Sequence, residues 1–216
     1  MVNMLLAIDT STDMASLAIS ERGEVWAELT WRCGRNHSVE LVPNLLRLLD
    51  LTKISLGRIN GVVVASGPGS FNGLRVGMAT AKGLAFSLGV PLVGISTLEM
   101  MAFSHASALL PVCSLLDARR GELAAALFQT KDDSWQRLLD DHITCVADLI
   151  CRITKRTLFC GEAPAEAVFR LRERLGTKAV LSLGAARRAG YLADLGWRRL
   201  EAGDRDDPAT LQPTYL

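Results

Sequence analysis

Polar side chains able to bind a metal or a phosphate follow the first apolar run of the chain, in the order Asp9, Thr10, Ser11. A carboxylate at the end of a strand, followed by hydroxyl groups, can hold Mg²⁺ and face a phosphate. Phosphate-binding turns usually contain glycine, which lets the backbone approach the anion, and Ser11 stands where that glycine is expected. Taken alone, these residues favour a turn capped by the Asp9 and Thr10 side chains over a nucleotide site.

A second candidate is the turn at residues 66–70 (SGPGS), which separates an apolar run from a predicted helix. It lacks both the Gly-Lys-Ser/Thr ending of a phosphate-binding loop and the G-x-G-x-x-G spacing of a dinucleotide-binding turn. Gly69, Gly73 and Gly77 instead recur every four residues, which places them on one helix face. Such a face can pack inside the same domain or against another subunit, and the sequence favours these two interpretations about equally. Phosphate binding at the helix N-terminus is the third interpretation and is less favoured than both.

Histidine and cysteine side chains show no metal-binding pattern. His37 precedes Glu40 by three residues, but two further ligands are missing nearby, so helix capping by Asn36 or Ser38 is favoured over a metal site. The other two histidines have no cluster of ligands at suitable spacing. The five cysteines form no C-x-x-C pair and are expected to be reduced thiols.

A fourth candidate is the segment Asp117-Ala118-Arg119-Arg120, in a predicted hairpin turn. Two adjacent arginines could bind a phosphate or an acidic surface. Adjacent side chains diverge on a strand, which favours an ordinary charged turn. Both interpretations stay open at the level of the sequence.

Composition excludes several classes of protein. The chain has 216 residues, of which 49% are hydrophobic and 22% charged, which is typical of a folded soluble protein. The formal net charge is only +1, so a nucleic-acid role needs a local patch or a partner subunit. No apolar run reaches the ~18 residues of a membrane span. A cytoplasmic location is expected.

Apolar periodicity predicts a mixed α/β chain. We predict strands at residues 5–8, 14–19, 25–31, 62–65, 92–95, 111–116, 122–128, 157–160 and 179–183. We predict helices at residues 38–51, 71–88, 97–108, 146–153, 164–175 and 185–195, and a mobile polar tail at 204–208. The N-terminal hairpins have a counterpart after residue 105, so two domains are expected, at 1–104 and 105–216.

Six short segments occur in an order that resembles the bacterial TsaB (YeaZ) family. They are LAIDTS at 6–11, HSVELVP at 37–43, SGPGSFNGLRVG at 66–77, AKGL at 81–84, GISTLE at 94–99 and DARRGE at 117–122, with PTYL at the end. The similarity is dense to about residue 129 and thin after it. Each segment is weakly specific alone, whereas the ordered set is specific.

The resemblance implies an actin-like ATPase (ASKHA, ribonuclease H-like) fold with two related subdomains containing mixed sheets. It also implies a role in forming N6-threonylcarbamoyladenosine beside the anticodon of tRNAs that read codons beginning with A. Subunits of this family are regarded as non-catalytic and pair with the catalytic paralogue TsaD and with the ATPase TsaE. Alone they form homodimers, and they meet tRNA only within the complex.

The resemblance also implies where the sites lie. Family dimers use two helices that correspond to residues 38–51 and 71–88. The expected partner-interface residues are Leu41, Leu45, Leu48, Gly73, Leu74, Gly77 and Ala81. The candidate vestigial nucleotide-binding residues are Asp9, Thr10, Ser11, Gly67 and Gly69. The chain is expected to bind no cofactor of its own. Binding of ATP with magnesium at the junction with the catalytic partner stays open.

Two positions separate this chain from the catalytic paralogue. The paralogue carries an Asn-His-x-Glu-x-His type metal motif after the equivalent strand, and Thr97 and Met101 stand here at the two histidine positions. A hydroxyl and a thioether do not replace two imidazoles as ligands of iron or zinc. We therefore expect no catalytic residue and no metal site. The alternative, based on Asp9, Thr10 and the turn at 67–70, is an ATP-dependent kinase-like enzyme or a glycoprotease-like peptidase of the same fold.

Overall fold

The chain folds into two compact units, and each is described by itself. The computed structural model describes residues 3–184 and 189–216. The first unit comprises residues 3–100 and 189–215, and the second comprises residues 101–184. Within the described residues, no helix is long and apolar enough to cross a membrane.

The first unit is built on a five-stranded mixed sheet. Its strands are β1 (Met4–Asp9), β2 (Met14–Glu21), β3 (Glu24–Arg32), β4 (Gly61–Gly67) and β5 (Leu92–Ser96). They lie in the order β3-β2-β1-β4-β5, with β1 antiparallel to β2 and parallel to β4. Because β1 and β4 are parallel neighbours, the polar turns that follow them meet at one edge of the sheet.

Helices cover both faces of this sheet. The α-helices of the described residues are α1 (His37–Thr52), α2 (Phe71–Leu88), α3 (Thr97–Phe103), α4 (Val146–Arg152), α5 (Ala165–Leu175) and α6 (Ala189–Glu201), of which α1, α2 and α6 pack on this sheet. α1 and α2 contact each other and bury apolar side chains in one cluster with Leu6, Ile8 and Val64. α6 covers the opposite face, where Gly196 lies against Val63. Burial on both sides explains the continuous apolar runs of β1 and β4.

The boundaries of α2 follow from its sequence. The Ser70 hydroxyl caps the N-terminus by accepting a hydrogen bond from the Gly73 N–H at 3.3 Å. Gly89 ends the helix in the left-handed conformation, with a φ of 65°. The prediction of a helix at 71–88 is therefore confirmed at both ends.

The last residues of the chain are tied to β5, the edge strand of this sheet. Asp206 Oδ2 accepts a hydrogen bond from the Gly94 N–H at 2.8 Å, and Arg199 donates to the Gly94 carbonyl at 2.8 Å. Hydrogen bonds from Arg199 to Asp204 raise the pKa of this guanidinium and lower the pKa of the Asp204 carboxyl. The prediction of a mobile tail at 204–208 is wrong, because these contacts hold the tail along the strand edge.

The second unit repeats the topology of the first. Its strands are β6 (Val112–Arg119), β7 (Glu122–Lys131), β8 (Ser134–Cys145), β9 (Thr157–Glu162) and β10 (Ala179–Leu183). They lie in the order β10-β9-β6-β7-β8, with β6 antiparallel to β7 and parallel to β9. α4 and α5 contact each other, and their apolar side chains share a core cluster with Phe159. The prediction of two related subdomains with mixed sheets is confirmed.

The structure differs from the predicted elements at three places. The helix expected at 97–108 ends at Phe103. β8 was not predicted, because most of its side chains are polar and many of them are exposed. The helix expected at 185–195 begins at Ala189 among the described residues and continues to Glu201, and positions 185–188 of that prediction lie outside the described residues.

The division into units also differs from the expected one. The sequence places the boundary at 104/105 and gives all later residues to the second domain. In the structure the boundary falls between Met100 and Met101, and α6 with the tail belongs to the first unit. α6 returns because its buried face packs on β1 and β2, which are far away in sequence.

Candidate functional site

Asp9 is the last residue of β1, Thr10 and Ser11 begin the turn after it, and all three side chains are buried. Asp9 Oδ1 accepts hydrogen bonds from the Ser11 N–H at 2.9 Å and from the Ser11 hydroxyl at 2.5 Å. The Thr10 hydroxyl donates to the Gly73 carbonyl at 2.8 Å. Asp9 Oδ1 and the hydroxyl groups of Thr10 and Ser11 therefore bond within the first unit, in the capped arrangement that the sequence favours.

The turn at 66–70 lies directly against this first turn. The Ser70 N–H donates to the Ser11 carbonyl at 2.7 Å. A side chain on Gly69 would clash with the same Ser11 carbonyl oxygen. Gly67 has a φ of 109° and faces the Thr214 carbonyl oxygen, so residues from the end of the chain cover this side of the turn.

Gly73 and Gly77 allow α2 to approach the first turn closely. A Cβ atom on Gly73 would clash with the Thr10 carbonyl oxygen, and one on Gly77 would clash with the Thr10 hydroxyl. Gly83, further along the same helix, has nothing within 4 Å of a Cβ position. Of the two uses that the sequence left open for the four-residue glycine period, the structure shows packing inside the first unit.

Several groups at this edge that could contact a nucleotide phosphate are already engaged by other residues of the first unit. Phosphate binding needs backbone N–H groups and glycines that stay open to the anion. Here the Ser70 N–H is bonded to Ser11, the Gly73 N–H is bonded to the Ser70 hydroxyl, and Gly69 contacts Ser11. The arrangement joins two turns and one helix N-terminus into a packed junction.

His37 and Glu40 contact different parts of the first unit. Buried His37 has its Nε2 atom 2.7 Å from the Thr12 carbonyl oxygen, and Glu40 accepts a hydrogen bond from Trp31 Nε1 at 2.9 Å. Asn36 occupies the N-cap position of α1, as favoured by the sequence, but its side chain forms no cap hydrogen bond. Within residues 3–184 and 189–216, no three His, Cys, Asp or Glu side chains are grouped to hold a metal ion.

The two positions that the resemblance aligns with metal-binding histidines are both buried. Thr97 begins α3, and Met101 lies one turn further along the same helix. Neither side chain is an imidazole, and the ligand chemistry expected of the catalytic paralogue is therefore missing at these positions.

All five cysteines are free thiols, as predicted. Burial raises the pKa of Cys33 to about 11 and that of Cys160 to about 12. Both thiols are consequently protonated at neutral pH, and neither is activated as a nucleophile.

The turn between β6 and β7 carries the candidate arginines. Arg119 and Arg120 both have positive φ angles, of 69° and 53°, and both side chains are exposed. The Arg119 N–H donates to Asp117 Oδ1 at 2.8 Å, so the carboxylate caps the turn. This hydrogen bond gives Asp117 a structural role in the turn.

The expected partner-interface residues lie in the interior of the first unit, and this expectation needs correction. All seven are buried: Leu41, Leu45, Leu48, Gly73, Leu74, Gly77 and Ala81. Leu41, Leu45, Leu48 and Ala81 belong to the core cluster between the helices and the sheet. Gly73 and Gly77 pack against Thr10. A helix side that already covers a sheet is not available to a partner.

The opposite sides of the same two helices expose large apolar residues. We call this surface the outer helix face and define it by Val39, Val42 and Leu46 of α1 and Phe71 and Phe86 of α2. Leu46 is 60% exposed and Phe86 is 88% exposed. In α1 the exposed apolar residues recur at the spacing i, i+3, i+7, which is typical of one stripe along a helix. The sequence alone did not distinguish this exposed stripe from the buried apolar stripe beside it.

A family model described as TsaD, tRNA N6-adenosine threonylcarbamoyltransferase, matches residues 31–163. The tRNA threonylcarbamoyladenosine biosynthesis protein TsaB of Bacillus subtilis is 32% identical over 98% of this chain and 93% of its own length. The protein of the same name from Escherichia coli is 36% identical over 60% of this chain and 56% of its own length.

Solved structures agree in fold. YeaZ from Pseudomonas aeruginosa superimposes with a TM-score of 0.83, covering 99% of this chain and 100% of that one, at 23% identity. An activator of 2-hydroxyisocaproyl-CoA dehydratase from Clostridium difficile, solved with bound ADPNP, reaches a TM-score of 0.53 at 11% identity over 93% of this chain and 96% of its own. The predicted actin-like fold is confirmed. The sequence and family matches together show that the chain belongs to the TsaB (YeaZ) family.

Proposed function

We propose that this chain is a non-catalytic partner subunit in the formation of N6-threonylcarbamoyladenosine in tRNAs that read codons beginning with A. The observation that carries the proposal is the near full-length match to a protein named for this pathway. The contacts between the turns at residues 9–11 and 66–70 and the missing imidazoles at Thr97 and Met101 support a role without chemistry of its own.

The chain is proposed to hold no nucleotide in its own turns. The support is the engagement of the Ser70 and Gly73 N–H groups and the close contact of Gly69 with Ser11. An ATP with magnesium at the junction with a catalytic partner is compatible with this proposal, because its donors would come from that partner. A kinase-like or peptidase-like activity is disfavoured, because the turns that would carry it are packed against each other.

The proposed partners are the catalytic paralogue TsaD, the ATPase TsaE and, in isolation, a second copy of the chain. The outer helix face supports docking, since it presents Val39, Val42, Leu46, Phe71 and Phe86 to solvent on two packed helices. Exposed large apolar side chains in one region are typical of protein–protein interfaces. The proposed location is the cytoplasm, and tRNA is proposed to be met within the complex.

Co-elution with a TsaD-family protein from the same source tests the proposed function. Purified chain and partner are mixed in equal amounts and separated by size-exclusion chromatography. We expect a single earlier peak that contains both proteins. Association is favourable because it removes the exposed apolar face from water.

Mixing the partner with an unrelated protein of similar size is the control. Two separate peaks at micromolar concentrations of this chain and the partner would contradict the proposed function.

A further inference from the structure

Six exposed cations of the second unit lie where α4 and α5 end and where β9 and β10 begin. Arg152 lies in the last turn of α4, and Lys155 and Arg156 lie between α4 and β9. Arg172 and Arg174 lie in the last turn of α5, and Lys178 directly precedes β10. We call this set the basic edge: Arg152, Lys155, Arg156, Arg172, Arg174 and Lys178.

The pairing of β9 with β10 brings these residues together in space. Thr157 is the register partner of Ala179 in this parallel pair. Arg156 and Lys178 each precede one of these partners by one residue, so they lead into neighbouring strands that are about 4.8 Å apart. α4 and α5 contact each other and reach the same edge with their C-terminal turns. The basic edge thus combines two stretches of the chain, 152–156 and 172–178, at one end of the second sheet.

The basic edge has little compensation from within the chain. None of its six side chains forms a hydrogen bond or ion pair with another residue in the described parts of the chain, whereas Arg198 and Arg199 bind carboxylates at 3.0 and 2.6 Å. Segments 152–156 and 171–178 contain only one carboxylate, Glu173. Asp132 and Asp133 lie at the tip of the β7–β8 hairpin, at the same end of the sheet but separated from β9 by β6 and β7.

Helix dipoles explain only part of this charge. A cation at a helix C-terminus is stabilised by the helix dipole, which accounts for Arg152, Arg172 and Arg174. The other three, Lys155, Arg156 and Lys178, lie outside the α-helices and gain nothing from them. Six like charges on one edge therefore repel one another unless a polyanion binds there.

We propose that the basic edge binds backbone phosphates of RNA, and, resting on the proposed function, that this RNA is the tRNA substrate. Arginine and lysine on an exposed surface are the groups that contact nucleic-acid phosphates. Docking of an acidic protein is the rival occupant, but the cores of protein interfaces are depleted in charged residues, and all six members of this surface are charged. The net charge of +1 makes the patch a local feature of the chain.

Neutralising three members of the basic edge tests this proposal. The variant Lys155→Gln/Arg156→Gln/Lys178→Gln is compared with Arg22→Gln/Arg58→Gln/Arg205→Gln, which removes the same charge from exposed positions of the first unit. Fluorescence anisotropy with a labelled tRNA transcript gives the affinity of the full chain, alone and with its TsaD-family partner, at several salt concentrations. The milder variant Lys155→Gln is measured in parallel.

We expect the basic-edge variant to bind tRNA about tenfold more weakly, and the slope of log K against log salt to fall by about 2–3, since each phosphate contact contributes about 0.7–0.9. The first-unit variant should match the wild type. Unchanged affinity and slope, with co-elution intact, would overturn the RNA proposal and leave the proposed function standing. Loss of co-elution with unchanged tRNA binding would instead assign the edge to a protein partner. Failure of the wild type to co-elute would sink the proposed function, while tRNA binding by the chain alone still decides the role of the edge.

Discussion

Replacing Gly73 by alanine is expected to destabilise the first unit by about 2–3 kcal/mol, because overpacking a tight contact costs this much. The added Cβ atom would clash with the Thr10 carbonyl oxygen, which is backbone and cannot rotate away. Relief requires α2 to move off the turn, which also strains the 2.8 Å hydrogen bond from the Thr10 hydroxyl to the Gly73 carbonyl. Urea unfolding followed by circular dichroism measures the change.

Gly83→Ala on the same helix is the matched control. Its Cβ would meet nothing within 4 Å, and alanine is favoured over glycine inside a helix by about 0.8–1 kcal/mol. The two substitutions are therefore expected to shift the unfolding midpoint in opposite directions. Equal effects of the two variants would contradict the close packing of α2 on the first turn.

Introducing arginine at Leu46 or Phe86 is expected to weaken binding to the TsaD-family partner about 30-fold or more. Truncating a central interface residue typically costs about 2 kcal/mol or more, and burying an unpaired charge adds to that cost. Both side chains are largely exposed, so the fold should be unaffected. Biolayer interferometry with immobilised partner gives the affinity.

Phe169→Arg is the control for this experiment, since Phe169 is 67% exposed but lies on α5 of the second unit. It should bind the partner as the wild type does. Wild-type affinity of both Leu46→Arg and Phe86→Arg would rule out the outer helix face as the docking surface.

The sequence located the helices of the proposed interface but not their exposed residues. α1 is apolar on both sides, so Leu41 and Leu45 could not be distinguished by type from Val42 and Leu46. Only the position of the sheet decides which stripe is buried, and that position depends on contacts between distant segments. The packing role of Gly73 and Gly77 in α2 was not predictable for the same reason, because these glycines contact Thr10, more than sixty residues earlier in the chain.

The ends of α2 were predictable because capping is local. Ser70 and Gly89 carry the required side chain and backbone freedom within a few residues of the helix. The return of the tail was not predictable, because the hydrogen bond from Gly94 to Asp206 joins residues 112 positions apart. β8 was missed because its mostly polar side chains lack the apolar alternation of a half-buried strand.

A role as a docking subunit is tested directly by the amount of N6-threonylcarbamoyladenosine formed on a tRNA transcript, quantified by mass spectrometry after digestion to nucleosides. The reaction contains the TsaD-family and TsaE-family partners with the threonylcarbamoyl donor, and receives either no chain, the wild type or Leu46→Arg. We expect modification with the wild type and, with Leu46→Arg, a yield near that of the reaction without the chain. Equal modification without the chain, or full modification with Leu46→Arg, would contradict a role as a docking subunit.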